Sequence, residues 1–194
     1  MFTLTHDKVA RLTRGMSIGP FDCDDADLNG FLRDDANDYL VHLLAVTYLV
    51  FDAGRLIAFF SLSNDKLAYA PEEDGSKTTW NQLQRDIPNE KRRKSHPAVK
   101  IGRLGVCSEL QGRGIGSQIL DYLKILFLTG NRTGCRFITV DANNNPRATK
   151  FYQENDFRFL SSGDAREDTR QMFFDLKNFA DLMAIDPLAP VGAS

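Results

Sequence analysis

Apolar residues in the first half of the chain follow two different periods. An amphipathic helix is predicted where they recur at helical spacing. The residues that share its apolar face are Leu28, Phe31, Leu32, Ala36 and Tyr39. The stretches "LAVTYLVF" and "LIAFFSL" are rich in β-branched and aromatic residues, and only "DAGR" separates them. This spacing predicts an antiparallel hairpin whose turn is closed by Gly54.

The second half of the chain alternates strand and helix patterns. Residues 99–106 are a short apolar run, and "RFITV" is another one after the next helix. The apolar face predicted for that helix comprises Ile115, Ile119, Tyr122, Leu123 and Leu126. Strand, helix and strand in this order predict a parallel pair joined by a right-handed crossover.

Further elements complete a single predicted domain over residues 1–194, with its core at about 16–175. Asn145 and Pro146 are typical of an N-cap followed by the first helical residue. "QMFFDL" is a last strand, and residues 180–194 are expected to be a loose tail. Residues 64–95 are polar and form an expected excursion, with a short helix from Trp80 to Arg85. The fold class is therefore mixed α/β or α+β.

Composition excludes several classes of protein. A net charge of -2 and a pI near 5.9 indicate no overall basic field, which favours a small-molecule or protein partner over nucleic acid. The 3 cysteines have no metal-ligand spacing, so reduced thiols in the cytoplasm are expected, without a disulfide framework or a metal site. No apolar run approaches the roughly 18 residues of a membrane span, and no membrane partner is expected.

The string "QGRGIG" links the strand at 99–106 to the following helix. A dinucleotide fingerprint would need glycine where Ser117 stands, and a P-loop would need a following Gly-Lys pair. Glycines at a strand-to-helix turn can instead let main-chain N–H groups converge on a diphosphate at the positive end of the helix. Arg113 could add a charge-assisted bond. An ordinary glycine-rich turn remains the alternative.

Two motifs resemble signatures of the GNAT superfamily of N-acetyltransferases. The first matches Q/R-x-x-G-x-G/A after the strand "KIGRLGV", and it consists of Gln111, Gly112, Arg113, Gly114, Ile115 and Gly116. The second, "NPRATKFYQENDF", is similar to the N-x-x-A-x-x-F-Y signature at Asn145, Ala148, Phe151, Tyr152 and Phe157. Asp156 departs from that family's usual glycine, but aspartate tolerates a left-handed turn better than most residues.

The resemblance implies a mixed sheet of about six to seven strands with about four helices, antiparallel in its first half. It implies transfer of an acetyl group from acetyl-CoA to a primary amine by direct attack on the thioester. Main-chain groups of Leu104 and Val106 would hold pantetheine beside a splayed fourth strand, the glycine loop would hold the diphosphate, and Asn145 would contact the cofactor. Tyr152 would be the general acid, although a core aromatic role is its alternative.

The sequence leaves open which residue is the general base. Glu109 is a candidate, but a solvated acid is the favoured interpretation; Asp65, Glu72 and Glu73 cannot be ranked. His6, His42 and His96 are expected to be structural or exposed, and "KRRK" at 91–94 is expected to be a solvated basic loop or an anion-binding surface. An α-amine with a pKa near 7.8 is neutral in about one molecule in seven at pH 7, so it needs little help from a base.

A narrower likeness concerns the acceptor. The phrases "FDC" and "GRL" are similar to the GNAT branch that includes toxins, which acetylate aminoacyl-tRNA and are neutralised by ribbon-helix-helix antitoxins. The net charge of -2 disfavours tRNA as the acceptor. A non-catalytic acyl-CoA-binding module and a homodimer are also left open.

Overall fold

A mixed sheet of seven strands forms the centre of the computed structural model, which describes residues 2–68, 76–85, 87, 93–129 and 134–186. The strands are β1 (Val9–Arg11), β2 (Val46–Asp52), β3 (Arg55–Ala68), β4 (Ser95–Val106), β5 (Phe137–Asn143), β6 (Arg158–Phe159) and β7 (Thr169–Asp175). Their order in the sheet is β1-β2-β3-β4-β5-β7-β6. β4 pairs with β5 in parallel, whereas β1–β2, β2–β3, β5–β7 and β6–β7 are antiparallel, which confirms the predicted mixed α/β fold.

Helices flank these strands in the chain. They are α1 (Ala26–Gly30), α2 (Ala36–Val41), α3 (Ser76–Arg85), α4 (Ile115–Thr129), α5 (Pro146–Glu154) and α6 (Leu176–Met183). A π-helical turn at Phe31–Asp35 joins α1 to α2, so the predicted first helix is one run with a wider turn in its middle. Asp25 caps this run, because its carboxylate accepts the main-chain N–H of Leu28 at 3.0 Å.

Two boundaries differ from the sequence-based expectation. Residues 180–183 are helical and not part of a loose tail, because Asp175 caps α6 by accepting the main-chain N–H groups of Lys177 and Asn178. The polar excursion is shorter than 64–95, since β3 continues to Ala68 and β4 begins at Ser95. Residues 69–75, 88–92 and 187–194 lie outside the described residues.

The chain divides into two compact units, of which the first comprises Met1–Ser63 and Ile101–Leu123. Its hairpin between β2 and β3 turns at Ala53 and Gly54, with φ values of 48° and 79°. Two successive left-handed residues are typical of a type I′ turn, which confirms the predicted hairpin. The core of this unit consists of Leu12, Phe31, Leu32, Ala36, Leu49, Leu56 and Phe59.

The second unit comprises Asn64–Lys100 and Lys124–Ser194. The parallel ladder between β4 and β5 covers only the pairs from Ala98–Phe137 to Lys100–Thr139, whereas β5 pairs with β7 along its whole length. A core cluster in this unit consists of Leu67, Trp80, Leu83, Ala98, Phe137, Leu160 and Phe173.

The three cysteines, Cys23, Cys107 and Cys135, are free and buried. Among the helices that the structure describes, none combines the length and apolar character that crossing a bilayer would require.

Candidate functional site

The glycine loop lies between the end of β4 and the start of α4. Gly112 and Gly114 have φ values of 72° and 77°, a region that strains residues with a Cβ atom. A Cβ atom built on either glycine would have no neighbouring atom within 4 Å. The backbone conformation therefore explains these glycines, and the space beside them is open.

Main-chain N–H groups are the principal polar feature of this loop. Within the described part of the chain, no residue accepts a hydrogen bond from the N–H groups of residues 112–117. The next N–H group, that of Gln118, donates to the main-chain oxygen of Gly114 at 3.0 Å. Helix α4 is 15 residues long and adds its partial positive charge at the same end. This arrangement can bind an anionic group such as a diphosphate.

The side chains of the loop have different surroundings. Gln111 Nε2 donates to Cys23 O at 2.9 Å and to Val106 O at 3.1 Å, which ties the loop to β4 and to the segment before α1. Ile115 is buried in the core, whereas Arg113 is exposed. Arg113 is therefore the side chain of this loop best placed to meet a ligand from solvent.

The end of β4 is closely packed on one face. A Cβ atom at Gly105 would lie 2.6 Å from Cε1 of Phe59, so this glycine permits a close approach that no other residue would allow. The neighbouring residues Leu104 and Val106 are partly exposed. The parallel ladder with β5 ends at Lys100, before both of them.

Glu109 is held by an arginine that the sequence analysis did not single out. Arg55 Nη2 donates to Glu109 Oε1 at 2.6 Å, and Arg55 Nη1 donates to Oε2 at 3.2 Å. Hydrogen bonding to Arg55 lowers the pKa of Glu109 below its ordinary value. A carboxylate with a lowered pKa is a weaker base, which favours the interpretation of Glu109 as a solvated acid. No signal in the sequence paired these two residues, which are 54 positions apart.

The second motif lies in the other compact unit, at α5. Asn145 caps the helix, because its Oδ1 accepts the main-chain N–H of Ala148 at 2.9 Å, with Pro146 in the first turn. Tyr152 is buried, and its ring contacts those of Phe151 and Phe157. Burial raises the pKa of Tyr152 well above its ordinary value, so the hydroxyl stays protonated at neutral pH.

Asp156 adopts the left-handed conformation expected for the family's glycine, with φ at 67°. The turn that it forms is closed by a hydrogen bond from Phe157 N to Tyr152 O at 3.0 Å. The substitution of aspartate for glycine therefore leaves this turn intact.

Two of the remaining titratable candidates, Asp65 and His6, have structural partners. Asp65 accepts a hydrogen bond from the buried Thr139 hydroxyl at 2.5 Å, and His6 Nδ1 lies 2.9 Å from the Tyr122 hydroxyl. His42 is exposed. Glu72, Glu73 and the first half of "KRRK" lie outside the described residues. The described residues include no group of three histidine, cysteine, aspartate or glutamate side chains that could hold a metal ion.

His96 is packed among aromatic side chains, and its ring centroid lies 5.6 Å from that of Trp80. Gln84 Nε2 lies 3.1 Å from His96 Nε2 and can donate to it when that nitrogen is unprotonated. Burial, followed by the positive charge of Arg136, lowers the pKa of His96. These contacts support the expected structural role.

Solved structures resemble the chain over most of its length. A Tyr-to-Phe mutant of KacT is 22% identical, with a TM-score of 0.68, and the match covers 90% of this chain and 99% of that one. A mutant AtaT toxin, bound to the C-terminus of the antitoxin AtaR and acetyl-CoA, is 20% identical, with a TM-score of 0.67 and coverages of 91% and 97%. AtaT complexed with acetyl-methionyl-tRNAfMet is 22% identical, with a TM-score of 0.65 and coverages of 84% and 89%.

These likenesses establish the fold that the chain shares with KacT and AtaT. Membership of a family follows from the sequence itself, because the model of the acetyltransferase (GNAT) domain matches residues 46–159, more than half of the chain. The two signature motifs, the glycine loop and the capped helix α5 fall at or within that match. The chain therefore belongs to the GNAT family, and it is an N-acetyltransferase that uses acetyl-CoA.

Proposed function

We propose that this N-acetyltransferase acetylates the α-amine of an aminoacyl-tRNA and acts as the toxin of a toxin–antitoxin pair. The observation that carries the proposal is the likeness to AtaT and KacT along almost the whole of both chains. AtaT is solved with acetyl-methionyl-tRNAfMet and, separately, with the antitoxin AtaR. The "FDC" and "GRL" phrases favour the same branch of the family.

The cofactor would be held by the first compact unit. The N–H groups of residues 112–116 point to binding of the diphosphate of acetyl-CoA, and the exposed Arg113 would add a positive charge. Main-chain groups of Leu104 and Val106 would hold the pantetheine arm, with the N–H of Val106 directed to the acetyl oxygen. The end of the ladder at Lys100 supports this role, because no pairing with β5 is seen among the described residues of β4 after Lys100.

The chemistry requires a neutral amine and a proton for the departing thiolate. The amine nitrogen would attack the thioester carbon and lose a proton to water, the C–S bond would break, Tyr152 would donate its proton to the departing thiolate, and water would return a proton to Tyr152. The hydroxyl of Tyr152 is protonated at neutral pH, as a general acid must be, and its raised pKa makes it a weaker acid than an exposed tyrosine. Asn145 would contact pantetheine in addition to capping α5.

An α-amine acceptor fits a site in which the described residues include no obvious general base. Its pKa near 7.8 leaves roughly one molecule in seven neutral at pH 7, whereas a lysine side chain with a pKa near 10.4 would be neutral in about one in 2,500. Glu109 is paired with Arg55, which makes it a poor base. The acceptor that the site supports best is therefore an α-amine and not a lysine side chain.

Cofactor binding is tested by placing a negative charge in the glycine loop. Gly114→Asp and Gly116→Asp should each weaken acetyl-CoA binding at least tenfold in isothermal titration calorimetry. Gly15→Asp is the matched control for Gly114→Asp, because Gly15 has the same φ of 77° and open space around its Cβ position but lies outside the loop. Unchanged affinity in both loop variants would refute diphosphate binding at these N–H groups.

The acceptor is tested by comparing radiolabelled acetyl transfer to aminoacyl-tRNA, free α-amines, polyamines and lysine peptides. Aminoacyl-tRNA should give the highest kcat/KM, and Tyr152→Phe should lower kcat by about 10²-fold or more while acetyl-CoA affinity is retained. Activity confined to small amines would replace the toxin proposal with the general acetyltransferase. Bound acetyl-CoA with no transfer to any acceptor would favour the acyl-CoA-binding module.

Toxicity and the partner have their own test. Expression of the wild-type chain should arrest growth, Tyr152→Phe should not, and co-expression of a ribbon-helix-helix protein encoded next to the gene should restore growth. Normal growth with the wild-type chain would contradict the toxin proposal even if acetyl transfer occurred.

A further inference from the structure

Arg103 of the "GRL" phrase lies on β4, directly before Leu104. Its guanidinium carbon lies 5.2 Å from the centre of the Phe31 ring, which is a cation–π contact. Nη1 donates to the main-chain oxygen of Gly102 at 2.9 Å. These two contacts hold the plane of the guanidinium while 37% of the side chain remains exposed.

The Nε–H group lies at one edge of this guanidinium. Its Nε–H is buried and has no hydrogen-bond acceptor among the described residues. Asp27 Oδ2 lies 3.5 Å from Nε, which is too long for a good hydrogen bond. Asp27 lies on α1, and its side chain is 77% exposed, so the carboxylate can move away into solvent.

A structural ion pair in the same chain has a different geometry. Arg136 binds Asp175 through two hydrogen bonds, at 3.0 Å from Nε and 2.9 Å from Nη2. The side chain of Asp175 is only 2% exposed. The Nε–Nη2 edge of Arg136 is therefore closed by a buried carboxylate, whereas Nε of Arg103 faces an exposed one. Through this edge, arginine forms bidentate hydrogen bonds to carboxylates and phosphates.

We propose that Arg103 is an acceptor-binding residue that takes a phosphate oxygen of the incoming substrate, and that Asp27 is the exchangeable counter-ion that this phosphate displaces. The inference rests on the proposed aminoacyl-tRNA acceptor. In that acceptor the carboxylate of the amino acid is esterified, so the anions that it offers are phosphates. Arg103 is next to Leu104, whose main chain we assign to the pantetheine arm. A phosphate bound to Arg103 would therefore bring the α-amine of the acceptor towards the thioester at the end of that arm.

The two residues should have opposite effects when they are changed. Arg103→Gln removes the positive charge and should raise KM for aminoacyl-tRNA about tenfold or more. Arg103→Lys keeps the charge but cannot donate in a bidentate manner, so its KM should lie between those of Arg103→Gln and the wild type. Asp27→Asn removes the competing carboxylate and should lower that KM several-fold. A merely structural Arg103–Asp27 pair would instead impair all acceptors in both variants.

Steady-state kinetics on two α-amine acceptors provide the test. Aminoacyl-tRNA carries phosphates and methionine amide carries none, so KM for methionine amide and the Kd for acetyl-CoA should be unchanged in all three variants. Thermal melting checks that each variant is folded. If Arg103→Gln does not fold, the decrease in KM expected for Asp27→Asn still decides the matter.

The possible failures are distinguishable. If the wild-type chain acetylates aminoacyl-tRNA but neither Arg103→Gln nor Asp27→Asn changes its KM, the inference fails and the proposed function stands. A weakened acetyl-CoA affinity in Arg103→Gln would overturn the inference by assigning the anion to the cofactor. If the wild-type chain acetylates only methionine amide, the proposed function and the inference fail together.

Discussion

The close approach of Gly105 to Phe59 gives a sharp prediction about stability. In Gly105→Ala, the new Cβ atom would lie 2.6 Å from Cε1 and 3.1 Å from Cδ1 of the Phe59 ring. Non-bonded carbon atoms prefer about 3.5–4.0 Å, so the ring or the strand must move by roughly 1 Å. Phe59 is fully buried, and its ring contacts those of Phe21 and Phe31, which restricts any movement.

The magnitude follows from a comparison with a second glycine of the same strand. A Cβ atom at Gly102 would lie 3.8 Å from the main-chain oxygen of Ser61, an ordinary contact. Both substitutions reduce the conformational freedom of the unfolded chain by the same kind of change, so that contribution cancels in the comparison. The remaining difference is the cost of overpacking, and Gly105→Ala should have a free energy of unfolding about 1–3 kcal/mol below that of Gly102→Ala.

Urea denaturation of the two variants measures this difference. In thermal melting, about 1–3 kcal/mol corresponds to a Tm roughly 2–12 °C lower for Gly105→Ala than for Gly102→Ala. Because the overlap is with one ring, the double variant Gly105→Ala with Phe59→Leu should lose less stability than the sum of the two single variants. Equal stability of the two alanine variants would refute the close approach.

Two further predictions concern the second compact unit. At Asp156, where φ is positive, Asp156→Ala should lower the free energy of unfolding by about 1 kcal/mol relative to Asp156→Gly, and equal melting temperatures would show that the left-handed turn is not strained. Burial and Arg136 lower the pKa of His96, so the unfolded chain binds more protons than the folded chain, and stability should fall as the pH drops below about 6.5. Urea denaturation across pH checks this. His96→Gln should show a smaller decrease in the free energy of unfolding at acid pH, whereas the exposed control His42→Gln should show the same decrease as the wild type.

Several features of the site were predictable because they depend on neighbouring residues. Left-handed backbone at Gly112 and Gly114 follows from the freedom of glycine, and the N-cap at Asn145 follows from a short polar side chain before proline. The same local logic anticipated that Asp156 could replace a glycine. Each of these predictions needs only the conformational preferences of a few consecutive residues.

The order of strands and helices could also be predicted, because the apolar residues of each element recur with the period of a strand or a helix. The first and last residues of the elements could not be predicted in the same way. β1 is only 3 residues long and acquires its strand conformation by pairing with β2, from Val9–Val50 to Arg11–Tyr48. Helix α6 starts directly at the end of β7, where the pattern "QMFFDL" indicated a strand alone. The limits of β1 and α6 thus depend on strand pairing and helix capping, which the conformational propensities of the residues do not predict.

What the sequence by itself determined is the mixed α/β fold, the glycine loop and the family. What only the tertiary structure decided is which distant side chains meet: Gln111 with Cys23, 88 positions away, and Arg103 with Asp27 and Phe31. The physical reason is that local patterns report backbone preferences over a few residues. Contacts between distant side chains depend instead on how strands and helices pack once the chain has closed its loops.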